Sequence, residues 1–286
     1  MDYLYNVADL NIKCQIPFPI YIQEESLDFI RSFDGDNKKI DYIYDIFRVD
    51  QLPSVSNNLH NEGSRIYSEN DNKNYIHFCP SPGDNPYACI LWEKESKTIQ
   101  CMYLEGKEEY LNYSRNILNH VGIENLLNAS DGLLMHASFV EWQNEAILFC
   151  GPSGIGKSTQ AKLWVEHENA EIINGDRAAL RLIDEIWNAY GLPYAGSSGI
   201  YKNRRVPLKA IVVLQKDLKN SIEKLDPISA IKYLYSEITI HRWDRSFVSQ
   251  NWEQCMKLLS TIPVYKLNCR VDKEAVETLK QELIKK

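Results

Sequence analysis

The run Gly151-Pro-Ser153-Gly154-Ile155-Gly156-Lys157-Ser158 constrains this chain more than any other feature. It fits the pattern G-x-x-x-x-G-K-[ST], in which glycines let backbone amides turn inward around an anion without steric cost. The apolar run AILFC (146–150) stands directly before it and reads as a strand. KSTQAKLWVEHE (157–168) follows directly and reads as a helix whose positive end points at the same spot. Four fixed positions of this kind match by chance in on the order of one chain in a hundred of this length. Strand, loop and helix in that order commit the region to an α/β architecture with a phosphate cradle over 151–159. Lys157 is placed to reach the β- and γ-phosphates of a nucleotide and the Ser158 hydroxyl to hold Mg²⁺, with Thr159 beside it.

Composition narrows the setting. With 286 residues, 44% apolar and 25% charged, the chain is an ordinary globular one, long enough for one large or two modest domains. Thirty-two Lys and Arg against 39 Asp and Glu leave a net charge of −7, a poor balance for holding a nucleic acid. Seven cysteines, odd in number and without a C-x-x-C pair, argue against a zinc site or a disulfide framework and predict reduced thiols. No apolar run approaches the ~18 residues that span a bilayer, and the start lacks a basic region followed by an apolar one. A cytoplasmic protein without a membrane partner is expected.

Residues 1 to about 105 read as short strands rich in Tyr, Ile, Phe and Val: DYLYNV, KIDYIYDIF, NYIHFC and YACILW, with a hairpin turning at Glu95-Ser96-Lys97. The polar, turn-rich stretch 53–74 reads as a long exposed connection, and 110–127 as one bridging helix. Farther on, the pattern predicts a strand over 133–142 turning at Gln143-Asn144, and a strand over 171–174. It also predicts a hairpin AALRLI-DE-IWNAY and strands at 209–214 and 264–269. Asp226-Pro227 and Asp272 open helices.

Phosphoryl transfer also needs a carboxylate for the metal, a group to deprotonate the nucleophile and cations for the transferred charge. Asp176 closes EIINGD, 19 residues past Lys157, room for one helix and one strand. At the end of a neighbouring strand it would face the phosphates; the plain alternative is an Asn-Gly-Asp turn. His136 sits in an apolar strand, where a histidine is either a hydrogen-bonded core residue or a catalyst. Residues 191–216 hold five bases and no acid. That suits either a phosphate-facing loop, with Arg205 or Arg204 stabilising the phosphoryl charge, or a solvated basic edge. Gly191, Pro193, Gly196, Ser197, Ser198 and Gly199 would let this loop close on a substrate. The segment 241–245 reads as a helix end with a packed Trp or as a peptide contact.

The series LLMHASFV, GPSGIGKST, INGDRAALRL, YGLPYAG and RVPLKAIVVL resembles the catalytic domain of HPr kinase/phosphorylase over residues 130–275. It is most similar to the HPr-kinase-like proteins found beside peptide-modification genes, including kinases of lasso-peptide precursors. Phosphoenolpyruvate carboxykinase shares the core more distantly. The resemblance implies a P-loop kinase domain of that type over 126–286, preceded by a smaller strand-rich α+β domain over 1–125 that carries no family signature. It implies ATP on residues 151–159, magnesium on Ser158 and Asp176, and His136 close to the phosphates. Where the family has two adjacent aspartates, base and metal ligand, this chain has Gly175 and Asp176, so Asp176 serves as base, metal ligand or both, or another residue supplies one role. Where the family has a glutamate after the loop serine, partner to the histidine, this chain has Thr159, a departure that bears on the reverse reaction more than on the kinase.

The expected activity is an ATP-dependent kinase acting on a hydroxyl, on a Ser/Thr side chain of a peptide or small protein such as a ribosomally made natural-product precursor. Two alternatives stand beside it. One is a small-molecule phosphotransferase acting on free serine or a carboxylic acid, and the other a non-catalytic ATP-binding recognition module. By analogy with HPr kinases the chain is expected to be a homo-oligomer.

Overall fold

Leu10–Gln15 alternates buried and half-buried side chains, as a strand with one face on a core must. Strands of this kind build the first of two units, Met1–Ile123, in a computed structural model. The structure describes every residue except Asp34, Asp36, Asn37, Lys38, Lys94, Ala195 and Lys286, and the backbone alone of Ser197. The unit holds β1 (Asp2–Val7), β2 (Leu10–Gln15), β3 (Ile30–Ser32), β4 (Tyr42–Val49), β5 (Asn58–Glu62), β6 (Arg65–Asn70), β7 (Lys73–Phe78), β8 (Ala88–Trp92) and β9 (Thr98–Leu104). They form one sheet in the order β3-β1-β2-β4-β9-β8-β7-β6-β5. Only β4 runs parallel to its neighbours, β2 and β9. Tyr5, Ile12, Tyr44, Ile90 and Cys101 are fully buried in it.

Two expectations are corrected here. The stretch 53–74 is not one exposed connection, because β5 and β6 lie inside it. β5 is exposed at every residue, so it carries no alternation for a sequence reading to detect. The single helix expected over 110–127 is two, α1 (Ser114–Val121) and α2 (Ile123–Ala129). Gly122 separates them with a left-handed φ of 66°, a helix-ending conformation that glycine adopts without strain.

The second unit, Glu124–Lys286, is a mixed α/β structure around an eight-stranded sheet. Its elements are β10 (Gly132–Trp142), β11 (Glu145–Cys150), α3 (Lys157–Glu168), β12 (Glu171–Asn174), β13 (Arg177–Ile183), β14 (Ile186–Tyr190), β15 (Arg205–Lys216), β16 (Ser221–Leu225), α4 (Pro227–Leu234), α5 (Arg245–Thr261), β17 (Val264–Cys269) and α6 (Lys273–Leu283). β11, β15 and β17 are mutually parallel. β10 and β15 are long enough to serve two sets of partners. β10 pairs with β13 through residues 132–136, then with β11 and β12. β15 pairs with β14 through 205–207, then with β11 and β17. The circuit β11-β10-β13-β14-β15 therefore closes on itself.

Side chains of the parallel strands are buried on both faces, which explains their near-continuous apolar sequence. Ile147, Phe149 and Val212 pack with Trp164 of α3 and Val276 and Leu279 of α6. Leu148, Ile211 and Val213 pack on the other face with Leu234 of α4 and Leu258 of α5. Asp226, Asp244 and Asp272 each accept backbone N–H groups at the start of α4, α5 and α6. Asp244 places the segment 241–245 at the start of a helix, where His241 and Trp243 stack at 5.6 Å. No helix among the described residues is long and apolar enough to cross a membrane.

Candidate functional site

β11 ends at the fully buried Cys150, and the chain turns at Gly151 with φ 137° before α3 begins at Lys157. Gly156, also at positive φ (120°), is the N-cap of α3 and offers no side-chain cap, so first-turn amides are left for an external acceptor. Gly154 and Gly156 have nothing within 4 Å of where a Cβ would stand, so the loop's inner side is open. Ile155 packs against the core beneath, Ser153 and Ser158 are exposed, and Thr159 is half-buried. Lys157 is 8% exposed, and its Nζ donates to the carbonyls of Gly151 at 2.7 Å and Pro152 at 3.5 Å. A nearly buried ammonium beside an uncapped helix start is a net positive pocket that fits a phosphate.

Sheet register brings a second group of residues to this loop. Ala137 of β10 pairs with Cys150, so His136 stands one residue from the strand position that precedes the loop. His136 in turn lies opposite Arg177, the first residue of β13, and the Ala137 N–H donates to the Asp176 carbonyl at 2.9 Å. His136 Nε2 lies 3.5 Å from Asp176 Oδ1, and Nδ1 lies 3.3 Å from Glu237 Oε2. Arg177 Nε approaches Asp176 Oδ2 at 3.4 Å. The facing His136 ring holds the Asp176 carboxyl below the usual aspartate range against the opposing effect of partial burial, and Arg177 adds to the lowering. Asp176 is therefore ionised and able to accept a proton or bind a cation.

Asn174, fully buried, fixes this corner. Its Oδ1 accepts the N–H groups of Asp176 and Arg177, and its Nδ2 donates to the carbonyls of Leu192 and Tyr194. The turn alternative for Asn-Gly-Asp is thus true of its backbone, while the Asp176 side chain points to the histidine. The segment 196–198 packs directly on it. A Cβ at Gly196 would come within 2.8 Å of Asp176, and one at Gly175 within 2.2 Å of Ser198 Oγ. With this segment in place there is no room at 175 for the aspartate of the resembling family.

Arg204 and Arg205 are not brought to the loop, and the expectation that either faces a phosphoryl group is corrected. β15 runs parallel to β11 with Val213 beside Cys150, so Arg205 begins the strand about 26 Å away along it. Its Nε donates to Asn188 Oδ1 at 3.1 Å. Arg204 grips Glu141 through Nε at 2.6 Å and a second guanidinium nitrogen at 2.9 Å. The arginine that does reach the cluster is Arg177, and the carboxylate that completes it is Glu237. Neither was visible as a spacing, because strand pairing and a turn after α4 bring them in.

The residues fit magnesium only as a shared ion. Among the described residues no three His, Cys, Asp or Glu gather into a metal site. One hydroxyl and one carboxylate, Ser158 and Asp176, are the residues that would hold Mg²⁺ together with a bound nucleotide, where it would neutralise phosphate charge.

Residues 101–285, well over half of the chain, match the family model described as SynChlorMet cassette protein ScmC. No curated protein matches. Among solved structures that do, the Hpr(Ser) kinase/phosphatase from Coxiella burnetii is 11% identical, with 52% of this chain and 95% of that one covered at a TM-score of 0.30. A likeness that weak carries no argument about fold or chemistry.

Proposed function

Because the chain belongs to the SynChlorMet cassette protein ScmC family, a description that names no reaction, its chemistry must come from the site, and we propose that the second unit is an ATP-dependent kinase of the HPr-kinase type. In this reading residues 151–159 cradle the nucleotide's phosphates and Lys157 turns from the loop carbonyls to the β- and γ-phosphates. The acceptor hydroxyl oxygen attacks the γ-phosphorus, its proton passes to Asp176, and ADP leaves with the bridging oxygen. Magnesium, when bound, neutralises phosphate charge between Ser158 and Asp176. Arg177 stands beside the base as a source of positive charge for the transferred group, with the His136 ring next to it as a hydrogen-bonding group.

The observation that supports this most is the register of β10. One strand carries Ala137 beside the end of the loop strand and His136 facing Asp176, so an anion in the loop has the base, the histidine and Arg177 as neighbours. The acceptor we favour is a Ser/Thr side chain on a peptide or small protein. His136, Asp176 and Arg177 are 40%, 32% and 47% exposed, so a hydroxyl presented on a chain reaches them without entering a closed cavity.

The test is mass spectrometry of Ser- and Thr-containing peptides, including those encoded near the gene, after incubation with the protein, Mg²⁺ and ATP. A gain of one phosphate on a hydroxyl is expected. Asp176→Asn should abolish transfer with ATP binding largely kept; near-normal turnover in that variant removes Asp176 from the mechanism. No uptake of Mg²⁺ and ATP by the folded protein in calorimetry would end the proposal altogether.

A further inference from the structure

The charged group left without a role is Glu237. Its side chain is 6% exposed, and among the described residues no Lys or Arg pairs with it. A buried carboxylate needs donors to offset lost hydration. Those present are the Ser236 hydroxyl, 3.3 Å from Oε1, and the His136 ring, whose Nδ1 is 3.3 Å from Oε2. The backbone is built to hold this contact. The Glu237 and Ile238 N–H groups both donate to the Leu234 carbonyl, turning the chain sharply after α4. The Glu237 carbonyl then accepts the His136 N–H at 2.7 Å, Ile238 bridges Met135, and the Thr239 N–H donates to Leu134. Ile238, nearly buried, anchors the turn in the core. The segment 237–239 is thus pinned along β10 where it meets the ring of His136.

We infer that Glu237 is the positioning residue for His136: by accepting from Nδ1 it fixes the ring so that Nε2 faces Asp176. This rests on the phosphoryl-transfer reading only for its kinetic consequence. The role resembles that of the carboxylate behind the histidine of a catalytic triad, which acts by orientation and tautomer. Asp176 and Arg177 face the ring from the start of β13, and Glu237 faces it from the turn after α4. Near enough to act on the same surroundings are Lys157 of α3 and the Cys150 thiol of β11, which burial chiefly pushes up, with Glu237 adding to the rise and Lys157 opposing it.

The experiment uses the full chain labelled with ¹⁵N-histidine, without metal or nucleotide. In the wild type, His136 should show an exchange-protected proton on Nδ1. That signal should persist in Glu237→Gln, whose amide oxygen still accepts, and vanish in Glu237→Ala. Absence of the proton in the wild type, or its survival in a folded Glu237→Ala, overturns the inference; the wild-type measurement decides even if the alanine variant does not fold. In turnover assays His136→Ala should cost about 10²-fold in kcat. Glu237→Ala should lose within threefold of that amount, with the KM for ATP within twofold of wild type. The double variant should be no worse than His136→Ala alone, whereas additive losses count against positioning. A wild type that binds or turns over no ATP defeats the kinase proposal and leaves the Nδ1 result standing or falling by itself.

Discussion

The strands of the second unit carry charge at both ends, and the two ends are built differently. At the end where β11 runs into the glycine loop, the charged groups are loosely engaged. His136 meets two carboxylates at 3.3 and 3.5 Å, Arg177 reaches Asp176 at 3.4 Å, and Lys157 rests on carbonyls. At the opposite end, about 13 Å along β10 from Ala137, the ion pairs are closer. Arg204 holds Glu141 with two nitrogens, Lys209 pairs with Glu145, and Lys202 pairs with Glu171. Charges satisfied by one another have little left for a ligand, while loosely held opposite charges can exchange partners when one arrives. Density of charge along the sequence therefore points to the wrong end, and looseness of pairing in the fold points to the other.

Removal of a charged side chain at the loop end should abolish function at small cost in stability, and the largest expected effect is that of Lys157→Ala. Loss of the phosphate-reaching ammonium should lower turnover by at least about 10³-fold and weaken ATP binding, because most of the catalysis assigned to this site is electrostatic. Single-turnover kinetics and calorimetry check both; unchanged kinetics would erase the distinction between the two ends.

A mid-sized effect is expected where 196–198 packs on the turn before Asp176. In Gly175→Ala the new methyl would stand 2.2 Å from Ser198 Oγ and 2.4 Å from its Cβ, so the segment must move. A cost of about 1–3 kcal/mol is typical of such overpacking. Adding Ser198→Gly removes both contacted atoms and should restore much of the melting temperature. If the double variant is no more stable than the single, the crowding at 175 lies elsewhere.

The opposite end should behave in reverse. Arg204→Met strands the nearly buried Glu141 carboxylate, costing about 1–2 kcal/mol once the half-exposure of the arginine is allowed for. Turnover should stay within twofold. A large loss of kcat with unchanged stability would return Arg204 to the active site.

What the sequence disclosed follows the same division between local and assembled features. Strand 146–150, the loop and helix 157–168 are contiguous, so composition and spacing suffice to read them, as they do for the hairpin turning at Asp184-Glu185 and for the helix caps at Asp226 and Asp272. Asp176 stood out by its strand-end place 19 residues past Lys157 and His136 by its family position, and the fold sets them side by side. Arg177 and Glu237 were missed because nothing near them in sequence marks them; one is opposite His136 by strand register, the other by a turn stitched to β10. The basic run 191–216 misled because a sequence shows five bases but not the carboxylates Glu141, Glu145 and Glu171 that meet three of them. In the first unit, exposed β5 lacked the alternation that reveals a strand, and Gly122 broke a helix whose apolar spacing ran on without interruption.

The smallest expected effect distinguishes the two ends by acid. Asp176 and Glu171 both have carboxyls held below their ordinary range, Asp176 chiefly by His136 and Glu171 chiefly by Lys202. A carboxyl whose folded pKa is depressed contributes stability above its unfolded value, near 3.9 for Asp and 4.3 for Glu, and loses it as pH falls through the lower folded value. Asp176→Asn should thus be less stable than wild type at pH 7, by under about 1 kcal/mol given its exposure, with the gap closing as the pH drops below about 4. Glu171→Gln should follow the same sign. Its pair is the more solvent-exposed, so 0.5 M salt should erase most of its smaller gap while leaving more of that at Asp176. Denaturant melts of the three proteins across pH 3 to 7, at low and high salt, measure both gaps. Should the Asp176 gap prove the more salt-sensitive of the two, the half-buried character assigned to the loop-end cluster would be mistaken, and with it the reason for expecting catalysis there.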